Sequence, residues 1–312
     1  NVPFKLIASV PNAAEIAAYD TYTYTFHDTL DPGLTLLRKG DQDQTTFEIY
    51  FVNDLMIDPR DERFQYLDAT EYNANIDAGT NSFTITIDDL KTLQITTAEG
   101  DQHPATNYNY IVIFYDAVLN ENAVIGQPGN VNSAYLEFSN DPNGDGTGET
   151  EDDKVIVFTY ELDGEKVDGE DGNTKLEGAQ FVLLNGGGTR AARVDATGKL
   201  TGWVEPDDIK EGLTGANDRE KMNELTNEDF ADAGLAITSA ADGTFKIAGL
   251  DDGTYYLREI QAPNGYNLLE ADVKLDIAAT TANGQEWDGD PATALRGLNM
   301  TFNVVDAEEV PT

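Results

Sequence analysis

Cysteine is absent from the 312 residues, which excludes disulfides, thiol nucleophiles and cysteine-ligated zinc in one step. Histidine is nearly absent too: His27 and His103 are too few for a multi-histidine metal centre, show no HExxH spacing and leave Ser–His–Asp hydrolysis unsupported. Basic residues are scarce, 19 against 58 acidic ones, for a formal charge of −39. A surface of that sign repels nucleic-acid phosphates and anionic lipid headgroups, so no nucleic-acid partner is expected. There is no signal peptide and no apolar run long enough to span a bilayer, so no membrane segment is expected in this stretch. The opening "NVPFKL" reads as a strand already under way, which suggests a piece of a longer, processed protein. No cofactor is implied.

What is present is a folded composition, 40% hydrophobic, in segments that alternate polar and apolar residues between Gly, Asn and Asp turns. "TYTYTFHDTL", "NSFTITIDDL", "NYIVIFYDAV" and "SAYLEFSN" form one group; "DKVIVFTYEL", "GAQFVLLN", "GTFKIAGL", "TYYLREI" and "LNMTFNVVD" form another. An all-β chain of two tandem sandwich domains is expected, over residues 1–143 and 154–312, joined by an acidic linker at 144–153. Helix formers in "NDREKMNELTNEDF", with Met222, Leu225 and Phe230 at helical spacing, predict one short helix inserted in the second domain. The linker region loosely fits a calcium loop through Asp141, Asn143, Asp145 and Asp152, but its flanks are strands and its twelfth position is Asp, so a solvated acidic linker is the better reading.

Side chains alternate faces along a strand, so position parity sorts core from surface. In "TYYLREI", Glu259 shares a face with Tyr255 and Leu257. In "VIVFTYELDGEK", Lys166 closes a face begun by Ile156, Phe158, Tyr160 and Leu162. In the last strand Asp306 shares a face with Met300, Phe302 and Val304. A lysine and two carboxyls aimed into one core form a costly cluster if all are ionised. Amide formation between Lys166 and Asp306 removes two of those charges. Burial favours the neutral amine that must attack, and a protonated Glu259 can polarise the carbonyl and relay the proton as the leaving group departs.

These residues carry a resemblance. "EKVDGEDGNTKLEGAQFVLL" and "GTYYLREIQAPNGYN" resemble the opening strands and the E-box of the collagen-adhesin B-type (CnaB-like) domain of Gram-positive surface proteins, over roughly residues 154–306. The resemblance implies immunoglobulin-like, Cna-type sandwiches and an autocatalytic isopeptide bond, with Lys166 as amine, Glu259 as promoting acid and Asp306 as acceptor. The family more often has Asn in that last position; Asp would lose water where Asn loses ammonia.

The first half repeats the pattern. Asp28 shares a face with Tyr22, Tyr24 and Phe26, and Asn140 shares one with Leu136 and Phe138. "VPFKLIASVP", "YTFHDTLDPGLTL" and "GNVNSAYLEFSNDPN" resemble the middle domain of sortase-assembled backbone pilins. That likeness implies Asp28 as acid and Asn140 as acceptor, with Asn132, of the same parity, as the alternative. The lysine that would bond it is expected upstream, because Lys5 has the outward parity of its strand. No YPK-type polymerisation motif and no LPxTG sorting signal occurs in the sequence.

The resemblance as a whole implies a structural, non-enzymatic shaft subunit of a cell-wall-anchored surface pilus. Its partners would be other pilin subunits joined by sortase, with host matrix or glycans as further partners in adhesion and colonisation. Two rival readings are an adhesin or minor pilin binding collagen, fibrinogen or glycan through a surface groove or the 190–240 insertion, and a glycosidase using paired carboxylates.

Overall fold

The structure is a computed structural model and describes residues 1–278 except 62, 63, 65 and 127, together with the backbone of Thr301–Asp306. It divides into two compact units. The first comprises Asn1–Ala123 with Asn130–Val157, and the second Val124–Gly129 with the chain from Phe158 onward.

The first unit contains β1 (Val2–Ser9), β2 (Tyr24–Leu30), β3 (Leu34–Leu36), β4 (Glu48–Val52), β5 (Asn73–Asp77), β6 (Ser82–Ile87), β7 (Gln94–Thr96), β8 (Gln102–Pro104), β9 (Tyr110–Leu119), β10 (Asn130–Ser139), β11 (Thr147–Glu149) and β12 (Asp153–Val157). One sheet runs β1-β9-β3, with β4 also on β9. The other runs β11-β10-β2-β6-β5, with β12 also on β10, and β7 and β8 form a separate hairpin. The inward parity of β2 (Tyr24, Phe26, Leu30), β6 (Phe83, Ile85, Ile87) and β9 (Ile111, Ile113, Tyr115, Ala117) fills one core shared by the two sheets. His27 has the outward parity and stacks on Tyr135, with ring centroids 4.5 Å apart.

The boundary differs from the one expected. Residues 144–153 are not a free linker: β11 and β12 both pair with β10, β12 matching Asn132 to Val155. The run "DKVIVFTYEL" therefore serves both units, breaking at Phe158 and Thr159 between β12 and β13 (Tyr160–Asp168). The unpaired N–H and C=O groups along β10 need partners, and the acidic segment supplies them.

The second unit adds to β13 the strands β14 (Gln180–Asn185), β15 (Ala191–Val194), β16 (Leu200–Val204), β17 (Ile237–Thr238), β18 (Thr244–Leu250), β19 (Gly253–Gln261), β20 (Val273–Ile277) and β21 (Thr301–Asp306). A three-stranded sheet, β18-β13-β21, faces a sheet ordered β16-β15-β14-β19-β20 with β17 on β14. The β13–β21 pair is parallel, setting Lys166 beside Val304 and Asp168 beside Asp306.

Among the described residues there are three short helices, α1 (Pro206–Ile209), α2 (Asp218–Glu224) and α3 (Asn227–Asp232), and the one expected over residues 217–230 is divided between α2 and α3. The expected helix breaks at Leu225–Thr226 because Thr226 starts α3 with a capping box, its hydroxyl accepting from the Asp229 N–H while the Asp229 side chain accepts from the Thr226 N–H. Met222, Leu225 and Phe230 pack on Val182, Leu184 and Ile260, so the helices cover the outer face of β14 and β19. Covered on both faces, β14 is continuously apolar and buried from Phe181 to Leu184 rather than alternating.

Gly164 on β13 lies against the Phe245 ring of β18, so that a methyl there would overlap the ring. Gly164→Ala is expected to destabilise the second unit by about 1–3 kcal/mol through overpacking, read as a lower urea midpoint with an unchanged m-value.

Candidate functional site

Each unit buries a polar constellation in its core, and each is built across the sandwich. In the second unit β13 contributes Lys166 and the facing sheet contributes Glu259 from β19. The Lys166 Nζ lies 3.0 Å from Glu259 Oε1, with both side chains wholly inaccessible to water. The Lys166 backbone is fastened on both sides: its N–H donates to Gly243 O at 2.8 Å and its carbonyl accepts from Leu176 N–H at 3.0 Å. Phe181, paired in register with Glu259, holds its ring centroid 5.6 Å from the amine.

The segment after β19 completes the enclosure. Pro263 and Tyr266 close a turn in which Gly265 adopts φ +87, a backbone conformation that glycine accepts at little cost. Beyond the turn Tyr266 Oη donates to Asp168 Oδ2 at 2.8 Å, and the Leu269 N–H donates to Glu259 Oε2 at 2.9 Å. The glutamate thus has one oxygen on a backbone amide and the other on the lysine. The Asp306 side chain lies outside the described residues. The backbone register puts Asp306 two residues past Val304, the partner of Lys166.

In the first unit Asp28 is 1% exposed and Asn132 3%. Tyr115, on the facing sheet, donates its hydroxyl to Asp28 Oδ2 at 2.7 Å. Asn132 Nδ2 donates to the same Oδ2 and to Tyr115 Oη, both at 3.0 Å. The register explains this triangle: Leu30 pairs with Asn132 and Asp28 with Ala134, so the two side chains are diagonal neighbours on one face. Among the described residues, Asp28 Oδ1 and Asn132 Oδ1 are buried without a hydrogen-bond partner. Burial pushes the Asp28 carboxyl up from 3.8 to about 6, against the lowering effect of the Tyr115 and Asn132 hydrogen bonds. The Tyr115 hydroxyl is raised by burial and by the adjacent Asp28 charge.

Asn140, the expected acceptor, is not in this constellation. It is exposed beyond the end of β10, and its N–H donates to Gly146 O in the turn leading to β11. Pairing of β10 with β2 ends at Phe138 opposite Tyr24, so matching parity does not bring Asn140 near Asp28. Asn132, the alternative, is the amide beside the acid. Lys5 is exposed on β1, as its parity predicts, and Lys154 is exposed beside Ser133.

Asp141, Asn143 and Asp145 lie in a turn, separated from Asp152 by β11. Among the described residues no three carboxylate or histidine side chains converge as metal ligands. Tyr115 and the Leu269 amide were not singled out from sequence. Tyr115 carried a usable signal, its parity with Ile111 and Ile113; the Leu269 amide carried none.

The chemistry open to such sites is attack of an amine on a polarised side-chain carbonyl. In the first unit a protonated Asp28 can hydrogen-bond the Asn132 carbonyl oxygen, and Asp28 Oδ2 already contacts the nitrogen that would leave as ammonia. In the second, Glu259 touches the amine itself.

Comparison with known proteins bears on both units. Residues 161–290 match the family described as SpaA, a prealbumin-like fold domain. No curated protein sequence matches the chain. Among solved structures, the pilus 2b backbone protein of group B streptococcus is 22% identical over 98% of this chain and 92% of that one, with a TM-score of 0.55. The 35 kDa C-terminal fragment of the major pilin GBS80 of Streptococcus agalactiae is 19% identical over 97% and 92%, with a TM-score of 0.59. The full-length major pilin SpaD of Corynebacterium diphtheriae is 18% identical over 98% of this chain and 63% of its own, with a TM-score of 0.55. The chain is an all-β protein that is similar over residues 161–290 to the SpaA prealbumin-like fold domain and shares the fold of Gram-positive backbone pilins.

Proposed function

We propose that this chain is a structural subunit of a Gram-positive surface pilus shaft, held together by intramolecular isopeptide bonds, joined to other pilin subunits by sortase and displayed on the cell wall. The observation that carries this reading is the wholly buried Lys166–Glu259 pair, whose lysine lies on the strand that runs parallel to β21. In the proposed reaction the neutral Lys166 amine attacks Cγ of the Asp306 carboxyl while Glu259 supplies a proton to its oxygen. The tetrahedral intermediate then expels water, leaving a neutral amide, and Glu259 is regenerated. The bond forms once per chain, so this is maturation and not turnover.

A staple between β13 and β21 suits a shaft that transmits tension through its terminal strands. It closes a loop of about 140 residues, for which the chain-entropy relation gives on the order of 5 kcal/mol. Without cysteine, an amide supplies the covalent cross-link, and it resists reduction. In the first unit Asn132 is the proposed acceptor and Asp28 the acid, with loss of ammonia. Adhesion and colonisation follow from the shaft role.

Intact mass of the denatured chain, followed by tandem mass spectrometry of a digest, tests the staple. The expected result is a deficit of one water and a branched peptide joining Lys166 to Asp306; a mass equal to that of the sequence would remove the proposal for this unit.

A further inference from the structure

A cleft of about 510 Å3 opens on the first unit between the chain that joins β4 to β5 and the hairpin of β7 and β8. Leu67 and Ile95, both 5% exposed, make its apolar floor. The backbone fixes each of them: the Leu67 N–H donates to Ile49 O of β4, 2.6 Å away, and Ile95 pairs with His103 across the hairpin. Around the floor stand Tyr66, 54% exposed, the carboxylates of Asp68 and Glu71, and the side-chain amides of Gln94 and Gln102. Thr96 pairs with Gln102, and Gln94 lies two residues before Thr96, so these three side chains share one face of the hairpin. Asp68 Oδ1 accepts from the Thr70 N–H at 2.9 Å and from its hydroxyl at 2.8 Å, which holds the carboxylate still and leaves Oδ2 for a ligand. No lysine or arginine lines this cleft, whereas the hollows at Lys5, Lys246 and Arg258 each include one.

We propose that this cleft binds a neutral oligosaccharide, with one pyranose ring seated on Tyr66. The inference stands apart from the shaft reading, since it uses no residue of the two buried constellations. A pyranose is apolar on its C–H faces and polar around its rim, and the cleft offers the matching pattern. The face of an aromatic ring is electron-rich and exposed Tyr66 presents it to polarised C–H groups, while Leu67 and Ile95 accept the apolar remainder. A carboxylate accepts from two neighbouring hydroxyls at once, and a carboxamide accepts from one and donates to the next. Asp68, Glu71, Gln94 and Gln102 therefore suit vicinal hydroxyls on both walls. With no cation in the cleft and a formal charge of −39 on the chain, a uronate, sulfate or phosphate is repelled and an uncharged sugar is not. The volume lies within the range of small-ligand clefts.

The probes are the neutral tetrasaccharides cellotetraose, maltotetraose and chitotetraose, with tetragalacturonate as an anionic counterpart of the same length, each added at millimolar concentration to the full chain. Methyl signals of Leu67 and Ile95 report occupancy of the cleft, and those of Ile111 and Ile113 report the integrity of the core. The expected result is a saturable shift of the Leu67 and Ile95 signals with at least one neutral sugar and none with tetragalacturonate. Tyr66→Ala should weaken that binding by about tenfold or more, Tyr66→Phe should retain it, and the Ile111 and Ile113 signals should stay in place in both variants. Leu67 and Ile95 signals that no neutral sugar moves, or that move equally in Tyr66→Ala, would overturn the site. Binding of tetragalacturonate as tight as that of the neutral sugars would overturn the assigned ligand class.

Discussion

Glu259→Ala is expected to abolish the one-water mass deficit and to lower the unfolding midpoint of the second unit by on the order of 15–40 °C. The staple contributes about 5 kcal/mol through the unfolded chain, and for a unit of this size each kcal/mol moves the midpoint by about 2–4 °C. A further loss of about 3–5 kcal/mol follows in the uncrosslinked protein, because the carboxylate 3.0 Å from the buried Lys166 amine is removed. Glu259→Gln separates the two effects: it keeps the volume and an oxygen for the Leu269 N–H but has no proton to give. Gln should lose the mass deficit with a smaller fall in midpoint than Ala. Intact mass and calorimetry on the three proteins decide it, and an undiminished deficit in either variant would show that Glu259 does not promote the bond.

The second expectation concerns pH. Asp28 sits at about 6 in the folded unit against an ordinary 3.8, so between those values the folded state keeps a proton that the unfolded chain has released. Its contribution to stability is full below about pH 4 and is lost as pH rises through 6, a change of about 3 kcal/mol in the direction opposite to that of a salt-bridged carboxylate. Asp28→Asn, which has the same shape and does not titrate, should remove this fall. The comparison is the urea midpoint of the first unit between pH 4 and 7, followed by the Ile111 and Ile113 methyl signals. Carboxylates elsewhere act equally in both proteins, so the difference isolates Asp28. Equal slopes would mean that Asp28 is ionised throughout and unable to donate to Asn132. Tyr115→Phe removes a donor to Asp28 Oδ2 and should move the wild-type transition to higher pH.

The same residues show where sequence reading succeeds. Strand alternation is local chemistry, so the inward aim of Asp28, Lys166 and Glu259 was legible from parity alone. So was the outward aim of Lys5 and His27. Parity carries no information on position along a neighbouring strand, which is why Asn132 and Asn140 were equivalent in sequence and are far from equivalent in the fold. The same limit hid the division of "DKVIVFTYEL" between two units, since an apolar run looks alike whether it stays in one sheet or passes to another. The helix break at Thr226 was locally encoded by Thr226 and Asp229, and helical spacing across it masked the cap.

Taken alone, the sequence determined the all-β class, the absence of thiols, the strongly anionic surface and the polar residues that turn inward. These depend on composition and on neighbours within a few positions. Tertiary structure alone decided which side chains meet: Tyr115 with Asp28 and Asn132 across one sandwich, Lys166 with Glu259 across the other, the Leu269 amide on the glutamate, and the open edge of β1 beside Asn132. Those meetings join residues from ten to more than a hundred positions apart, and strand register and sheet-on-sheet packing, which minimise buried unpaired polar groups over the whole unit, set them.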